Sequence, residues 1–241
     1  MISKLTRGIM IIISFAFLLV SCKKEKSVYE AEARSFLDQN KINEAITVLE
    51  KAIQMYSDEP AFYNLRGAAK FQNGEYQDAI SDFELSIQLD STDYRPYYNS
   101  GNSYFRLENY QSANEYFTEA ANLSPKKPDI YINRANTYFE LGDYPQAIRD
   151  YQFSLQLDSS SYLANLNIAR TFIIIDSVQS AVPYLEKCIQ LSPDSGEAFY
   201  FLAYSKYLTG TGEDFCTVYR RSRTLGYDAA SDVLEKVCAN S

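Results

Sequence analysis

The 241-residue sequence contains no histidine and no tryptophan, and only 9 glycines and 7 prolines. Without histidine, the chain cannot carry histidine-based acid–base catalysis, a Ser-His or Cys-His nucleophile pair, or a histidine-containing zinc site. It also lacks a CxxC pair, a glycine-rich phosphate loop and a G-x-S-x-G motif. We therefore predict that the protein is not an enzyme, has no catalytic residue, and binds neither a metal nor a cofactor.

Positive charge is also scarce, because 23 Lys plus Arg stand against 31 Asp plus Glu, giving a formal net charge of −8. Phosphate backbones are bound by clustered lysine and arginine, so this balance argues against a nucleic-acid partner. The hydrophobic fraction of 46% and the mean hydropathy of −0.30 are typical of a globular body rather than a disordered chain.

The N-terminus carries one short apolar run. It spans residues 9–20, which is shorter than the roughly 20 residues that a membrane-spanning helix needs. The run follows a basic start and ends in Leu-Val-Ser-Cys at Cys22, a pattern that resembles a bacterial lipobox. The resemblance implies a lipoprotein signal peptide in residues 1–21, acylation of Cys22 and a lipidated linker in residues 22–26. An ordinary cleaved signal with an incidental cysteine is the alternative.

The residue after the lipid cysteine is Lys23. By resemblance to lipoproteins of bacteria with two membranes, this favours the outer membrane over retention at the inner one. We therefore predict a lipid-anchored protein of the bacterial cell envelope. Lys23, Lys24 and Lys26 follow the anchor, and we expect them to contact anionic head groups.

Three cysteines remain once Cys22 is acylated, so at least one thiol is free or pairs outside the chain. Cys216 and Cys238 fall on neighbouring predicted helices. They can form a disulfide in an oxidising periplasm, or they remain two buried thiols. Cys188 occupies a small-residue position and is predicted to be core packing.

Small residues recur every 34 positions. One series contains Ala33, Gly67, Gly101, Ala135, Ala169 and Ala203, and a second contains Ala45, Ala79, Ala113, Ala147 and Ala181. Each period holds two runs with apolar residues at helical spacing, separated by a turn that is often Gly- or Asn-containing. This pattern indicates stacked helix pairs whose backbones approach closely at the small residues.

One unit reads Tyr-Tyr-Asn-Ser-Gly-Asn-Ser-Tyr over residues 97–104, and Ala113, Phe117 and Ala120 follow. This pattern resembles the tetratricopeptide repeat. The resemblance implies an all-α, right-handed superhelical solenoid of about six helix-turn-helix units over residues 27–227. The units lie near residues 26–59, 60–93, 94–127, 128–161, 162–195 and 196–227. Residues 228–241 are predicted to be a capping helix and tail that cover the open end of the solenoid.

Three positions depart from the pattern. Pro183 lies early in a second helix, where we expect it to be tolerated only in the first turn. Ile-Ile-Ile-Asp at residues 173–176 replaces the usual glycine turn, and Phe215 stands where alanine is expected.

The first helices of such an array are expected to line a concave groove. Asn99, Asn133 and Asn167 share one 34-residue phase, and Asn102 and Asn136 share another. The row resembles the asparagine ladder with which some tetratricopeptide grooves hold unstructured peptides, since an amide both donates and accepts. The alternative is that these residues are family consensus and merely solvated. The candidate groove residues are Asn99, Asn102, Asn133, Asn136, Asn167, Tyr98, Phe105, Phe139, Arg95, Arg106 and Arg170.

Phe105 and Phe139 belong to a further 34-residue row of apolar side chains, completed by Phe71, Ile173 and Tyr207. Exposed aromatics anchor interfaces, but packing between adjacent helices is the alternative for this row. The paired-lysine clamp by which some family members hold a C-terminal carboxylate is not reproduced.

The roles of the remaining charged residues are predicted only from their positions within the 34-residue period. Arg66 and Arg134 fall at an inter-helix phase and are predicted to be structural. Carboxylates such as Glu115, Glu119 and Asp150 are placed on outward helix positions, where a solvated face accounts for them.

Together these features predict a lipid-anchored scaffold of the cell envelope that binds a protein or extended peptide in its groove for complex assembly. A glycan- or peptidoglycan-binding module is the alternative, because tyrosine rings and asparagine amides can stack on and hydrogen-bond sugars. An enzyme accessory subunit is the least favoured interpretation.

Overall fold

The structure is a computed structural model that describes residues 24–210 and 215–238. The predicted signal peptide and Cys22 lie outside the described residues. Those described form thirteen α-helices and no β-strand, so the predicted all-α fold of six helix pairs and one further helix is confirmed. The helices are α1 (Lys26–Asp38), α2 (Ile42–Met55), α3 (Pro60–Gln72), α4 (Tyr76–Leu89), α5 (Tyr94–Arg106), α6 (Tyr110–Leu123), α7 (Pro128–Glu140), α8 (Tyr144–Leu157), α9 (Tyr162–Ile174), α10 (Val178–Leu191), α11 (Gly196–Thr209), α12 (Phe215–Thr224) and α13 (Ala229–Val237).

The chain divides into two compact units, the first ending at Leu89 and the second beginning at Asp90. In the first unit, α1 pairs with α2 and α3 pairs with α4, while α2 also packs on α3. In the second unit, α5–α6, α7–α8, α9–α10 and α11–α12 are the pairs, and the second helix of each packs on the first helix of the next. Helix α13 packs on α12.

Local sequence marks where the helices begin. Pro60 and Pro128 are the first residues of α3 and α7, where the missing N–H of proline removes no helical hydrogen bond. The side chain of Asp93 caps α5 by accepting a hydrogen bond from the Arg95 backbone N–H at 3.0 Å, which satisfies one free donor of the first turn.

The small residues lie where paired helices touch. A Cβ atom added to Gly67 would lie 2.5 Å from Phe83 Cε1 and 3.0 Å from the Ala79 carbonyl oxygen. A Cβ atom added to Gly101 would lie 2.7 Å from Phe117 Cδ1. In each pair, an aromatic ring of the second helix therefore fills the space that a side chain on the first helix would need.

The turns inside the pairs share one backbone feature. Positive φ angles recur at 34-residue intervals, at Asn40, Gly74, Glu108, Gly142, Asp176 and Gly210. The turn that lacks glycine, at residues 173–176, keeps this geometry, since Asp176 adopts a φ of 61°. A non-glycine residue in this region costs about 1 kcal/mol, so the turn geometry is maintained by the packing of the helices on either side.

A buried ion cluster joins the two helices of the second pair. Arg66 Nη2 lies 2.6 Å from Asp82 Oδ1, and Lys70 Nζ lies 2.8 Å from Asp82 Oδ2. Asp82 is only 2% exposed. The hydrogen bond to this carboxylate is the largest cause that raises the pKa of Arg66. The predicted structural role of Arg66 follows from this arrangement.

The same arrangement in the fourth pair corrects one prediction. Arg134 Nε lies 2.7 Å from Asp150 Oδ2, and Asp150 is 8% exposed. The assignment of Asp150 to a solvated face is therefore wrong, because α8 turns this carboxylate toward Arg134. Glu115 and Glu119 are exposed, as predicted.

The other two departures lie in α10 and α12. Pro183 lies inside α10, beyond its first turn, so the expectation that only a first turn tolerates it is wrong, and α10 lacks one N–H donor there. Phe215 is the first residue of α12, and its ring centroid lies 5.2 Å from that of Tyr207.

The cysteines have two different states. A disulfide joins Cys216 to Cys238, with the Cα atoms 5.7 Å apart, and so ties α12 to the residue that follows α13. Cys188 is free and buried, and its Sγ lies 3.7 Å from the Tyr162 carbonyl oxygen. Burial raises the pKa of the Cys188 thiol to about 12, so this thiol stays protonated near neutral pH and is unreactive.

Candidate functional site

Two pairs of asparagine side chains bridge neighbouring first helices of the second unit. Asn133 Nδ2 donates to Asn102 Oδ1 at 2.9 Å, and Asn167 Nδ2 donates to Asn136 Oδ1 at 2.9 Å. The two bonds link α5 to α7 and α7 to α9, and each joins residues 31 positions apart. We call these two bonded pairs the amide rungs.

Two tyrosine hydroxyls complete the amide rungs. Asn133 Nδ2 also donates to the Tyr98 hydroxyl at 2.8 Å, and the Tyr151 hydroxyl donates to Asn136 Oδ1 at 2.6 Å. Burial raises the pKa of both Tyr98 and Tyr151, so both phenols stay neutral at physiological pH. Both acceptor positions of Asn136 Oδ1 are therefore filled from within the protein, which leaves its Nδ2 group as the hydrogen-bond donor of that side chain.

The row continues with a different pair of side chains. Arg170 lies 34 positions after Asn136, and its guanidinium carbon is 5.9 Å from the ring centroid of Phe201. Phe201 stands 34 positions after Asn167. A cation–aromatic contact thus replaces an amide pair at the equivalent position, and Arg170 remains exposed.

A cavity of about 180 Å³ opens beside the amide rungs. It is lined by Phe105, Asn136, Phe139, Glu140, Tyr151, Asn167 and Arg170. Five of these are predicted groove residues, whereas Glu140 and Tyr151 were missed. Glu140 lies four residues after Asn136 on the same helical face, a signal that was available. Tyr151 shares its 34-residue phase with the core residues Phe83 and Phe117, so nothing in the repeat pattern indicated its hydroxyl.

The other predicted residues lie outside this cavity. Tyr98, Asn102 and Asn133 belong to the first amide rung. Arg95 is 52% exposed and ion-paired with Asp93, at 2.7 Å between Nη2 and Oδ2. Asn99 and Arg106 lie on α5 and do not line the cavity.

The aromatic row packs across the turns. The ring centroids of Phe105 and Tyr110 are 5.3 Å apart, and those of Phe139 and Tyr144 are 5.6 Å apart. Phe71 makes the equivalent contact with Tyr76. Packing between adjacent helices therefore accounts for these rings, and Phe105 and Phe139 use their remaining surface to line the cavity.

Within the described part of the chain, no group of cysteine, aspartate and glutamate side chains has an arrangement that could hold a metal ion. Among the same residues, no helix combines the length and apolar character needed to cross a membrane. The cavity beside the amide rungs offers hydrogen-bonding groups, one guanidinium, one carboxylate and aromatic surface. These groups are suited to binding a ligand.

Stacked helix pairs with a polar row along their first helices define a helical-repeat binding scaffold. Sequence profiles of the tetratricopeptide repeat match residues 30–94, 94–127, 128–161 and 162–195. Together these matches cover well over half of the chain, which therefore belongs to the tetratricopeptide repeat proteins. A comparison with curated proteins gives no match.

Solved structures share the fold at low identity. YrrB, a tetratricopeptide repeat protein with an unusual peptide-binding site, is 17% identical over 78% of this chain and 98% of its own, with a TM-score of 0.68. PilF of Pseudomonas aeruginosa is 15% identical over 90% and 93% of the two chains, with a TM-score of 0.71. MamA of Desulfovibrio magneticus RS-1 is 17% identical over 71% and 98%, with a TM-score of 0.66.

Proposed function

We propose that this protein is a lipid-anchored scaffold of the bacterial cell envelope that binds an extended peptide segment of a partner protein beside the amide rungs. Tetratricopeptide repeat proteins are generally protein-interaction scaffolds, and the similar protein YrrB has a peptide-binding site. The observation that carries the proposal is the cavity that three successive first helices line with amide, guanidinium and aromatic groups.

The hydrogen-bond pattern of the site suits a peptide backbone. The amide rungs hold Asn136 and Asn167 in fixed positions, so little side-chain entropy is lost when a ligand binds. Asn136 Nδ2 and the Arg170 guanidinium offer donors to main-chain carbonyl groups. Phe105 and Phe139 provide apolar surface for a side chain of the same segment. Binding of this kind involves no chemical step.

The envelope location rests on two features. The lipobox-like sequence ending at Cys22 predicts acylation and export, and several acyl chains on one residue give firm anchoring. The disulfide between Cys216 and Cys238 supports an oxidising compartment, because disulfides are rare where thiols are kept reduced. Outer-membrane residence is the part of this proposal that depends on Lys23 alone.

Peptide binding is tested by selecting ligands from a displayed peptide library with the wild-type protein and measuring their affinity for variants. Asn136→Ala combined with Asn167→Ala should weaken binding about tenfold, which corresponds to about 1.4 kcal/mol, with unchanged helicity. Asn43→Ala, at an exposed position of α2, is the matched control. Equal affinity for both variants would reject the amide rungs as the binding site. Retention on peptidoglycan without any selected peptide would favour the glycan-binding alternative.

Anchoring is tested separately by fractionating cells. Cys22→Ala should move the protein from the membrane fraction to the soluble fraction. A membrane fraction that does not change would reject acylation of Cys22 as the anchor.

A further inference from the structure

The first helix pair has apolar side chains at positions where the second pair has charged ones. In the second pair, Asp82 forms a buried cluster with Arg66 and Lys70. Thirty-four positions earlier, Val48 stands in place of Asp82 and Phe36 in place of Lys70. The first pair therefore presents apolar side chains where the second pair presents an ion cluster.

A groove of about 320 Å³ lies on this surface, lined by Glu32, Phe36, Asn43, Glu44, Thr47 and Val48. Val28 lies one helical turn before Glu32 on α1 and is 46% exposed. The groove lies between α1 and α2, and Val48 is half-buried because it also packs on the cluster that contains Tyr29 and Ala33. We call the surface of Val28, Phe36 and Val48 the N-terminal face.

Lys24, the first described residue of this unit, lies at the rim of the groove. Lys24 is ion-paired with Glu32, which lines the groove. The Lys24 ammonium lies 4.4 Å from the ring centroid of Tyr29, and the Tyr56 hydroxyl donates to the Lys24 carbonyl oxygen at 3.0 Å. The backbone is therefore held in place at Lys24 and is not a free linker from that residue onward.

The next lysine is also held by the fold. Lys26 Nζ lies 2.8 Å from Glu59 Oε2, and its ammonium is 5.3 Å from the Tyr56 ring centroid. Lys24 and Lys26, which were expected to contact head groups, are thus ion-paired with Glu32 and Glu59 of the first unit. What remains between the fold and the predicted lipid is Lys23 alone.

Two residue steps separate Cys22 from Lys24, and an extended chain covers about 7 Å in two steps. We infer that, in the acylated protein, the N-terminal face lies against the lipid surface of the membrane that holds the anchor. This inference rests on the proposed acylation of Cys22. The short tether limits the distance between the fold and the lipid, and the apolar side chains of Val28, Phe36 and Val48 suit the interface. The ammonium of Lys41 lies 6.0 Å from the Phe36 ring centroid, but Glu44 lines the same groove, so apolar contact rather than charge carries the inference.

The test uses the processed, acylated full chain in vesicles of phosphatidylethanolamine and phosphatidylglycerol that contain a nitroxide-labelled lipid. A thiol-reactive fluorophore is placed at Val28→Cys or Val48→Cys. The matched control is Leu85→Cys, on α4 of the same unit, where Leu85 is 41% exposed. We expect quenching by the nitroxide lipid to be several-fold greater at Val28 and Val48 than at Leu85. Cys188 is buried and does not compete for the label.

A linker variant separates docking from simple tethering. Insertion of a long Gly-Ser segment after Lys23 should keep the protein on floated vesicles but weaken the preference for Val28 and Val48, since the tether no longer enforces contact. Vesicle flotation with equal quenching at all three positions would overturn the inference and leave the anchor intact. Cross-linking between two copies through Val48→Cys, without quenching, would assign this face to a second copy and overturn it as well. Failure to float would overturn both the inference and the proposed anchor.

Discussion

The two compact units pack their helices in the same way and differ in what their first helices display. Gly67 meets Phe83 in the first unit just as Gly101 meets Phe117 in the second. At the positions equivalent to Asn102 and Asn136, however, the first unit has Arg34 and Ala68, and Arg34 is ion-paired with Glu30 on its own helix. Sterics fix the contact between the paired helices at Gly67 and Gly101, whereas the row beside it differs between the units. Under the proposed function, this row would determine ligand specificity.

The largest effect on stability is expected from the ion cluster of the first unit. Asp82→Ala would leave Arg66 and Lys70 partly buried without their carboxylate. Removing one partner of a buried ion pair costs about 3 kcal/mol or more, so the free energy of unfolding should fall by that amount in chemical denaturation. Asp78→Ala, at an exposed position of α4, should cost less than about 1 kcal/mol. Similar losses for the two variants would contradict the assigned role of Asp82.

The shared helix contact should be equally sensitive in both units. Gly67→Leu and Gly101→Leu each force a side chain into the ring of Phe83 or Phe117, and we expect each to lower the free energy of unfolding by about 1–3 kcal/mol. Gln111→Leu, at an exposed position of α6, is the control for added apolar surface. A loss in only one unit would show that the two units do not share this packing.

The amide rungs, which lie in the second unit, should contribute less to the free energy of unfolding. Asn133→Ala removes the donors to Tyr98 and Asn102, and each such bond contributes about 1 kcal/mol at most in a partly solvated site. Thermal unfolding followed by circular dichroism should show a small decrease in Tm. Asn102→Ala removes only one of these two bonds and should have a smaller effect, and combining the two variants should add little to Asn133→Ala because both remove that bond. Fully additive losses would argue against a shared bond.

The smallest effect is expected at a turn. Glu108 has a φ of 60° where the second and fourth pairs use Gly74 and Gly142. Glu108→Gly should raise the free energy of unfolding by a few tenths of a kcal/mol, because the strain it relieves, about 1 kcal/mol, exceeds the added entropy of the unfolded chain. Gly142→Ala is the converse variant and should destabilise. A decrease in stability for Glu108→Gly would mean that the Glu108 side chain makes contacts that stabilise the turn by more than the strain costs.

Much of this architecture follows from the sequence because it depends on local rules applied every 34 residues. Small residues at Gly67 and Gly101 predicted close contacts, and apolar spacing predicted paired helices. Asp150 could not be placed in this way, because its burial depends on Arg134, sixteen positions earlier on another helix. The repeat pattern showed that asparagines recur every 34 positions, but not that side chains 31 positions apart bond to each other. Such bonds depend on how neighbouring first helices are offset, which tertiary packing sets.

We propose that the surface beside the amide rungs binds an extended peptide and that the packing beneath it serves only to build that surface. Photocross-linking tests this proposal, with benzoyl-phenylalanine in place of Phe139, which lines the cavity, or of Leu163, which is 51% exposed on α9 and does not line it. With a labelled peptide selected by the wild-type protein, we expect cross-linking at position 139 and little at position 163. Equal cross-linking at both positions, or cross-linking at position 163 alone, would contradict it.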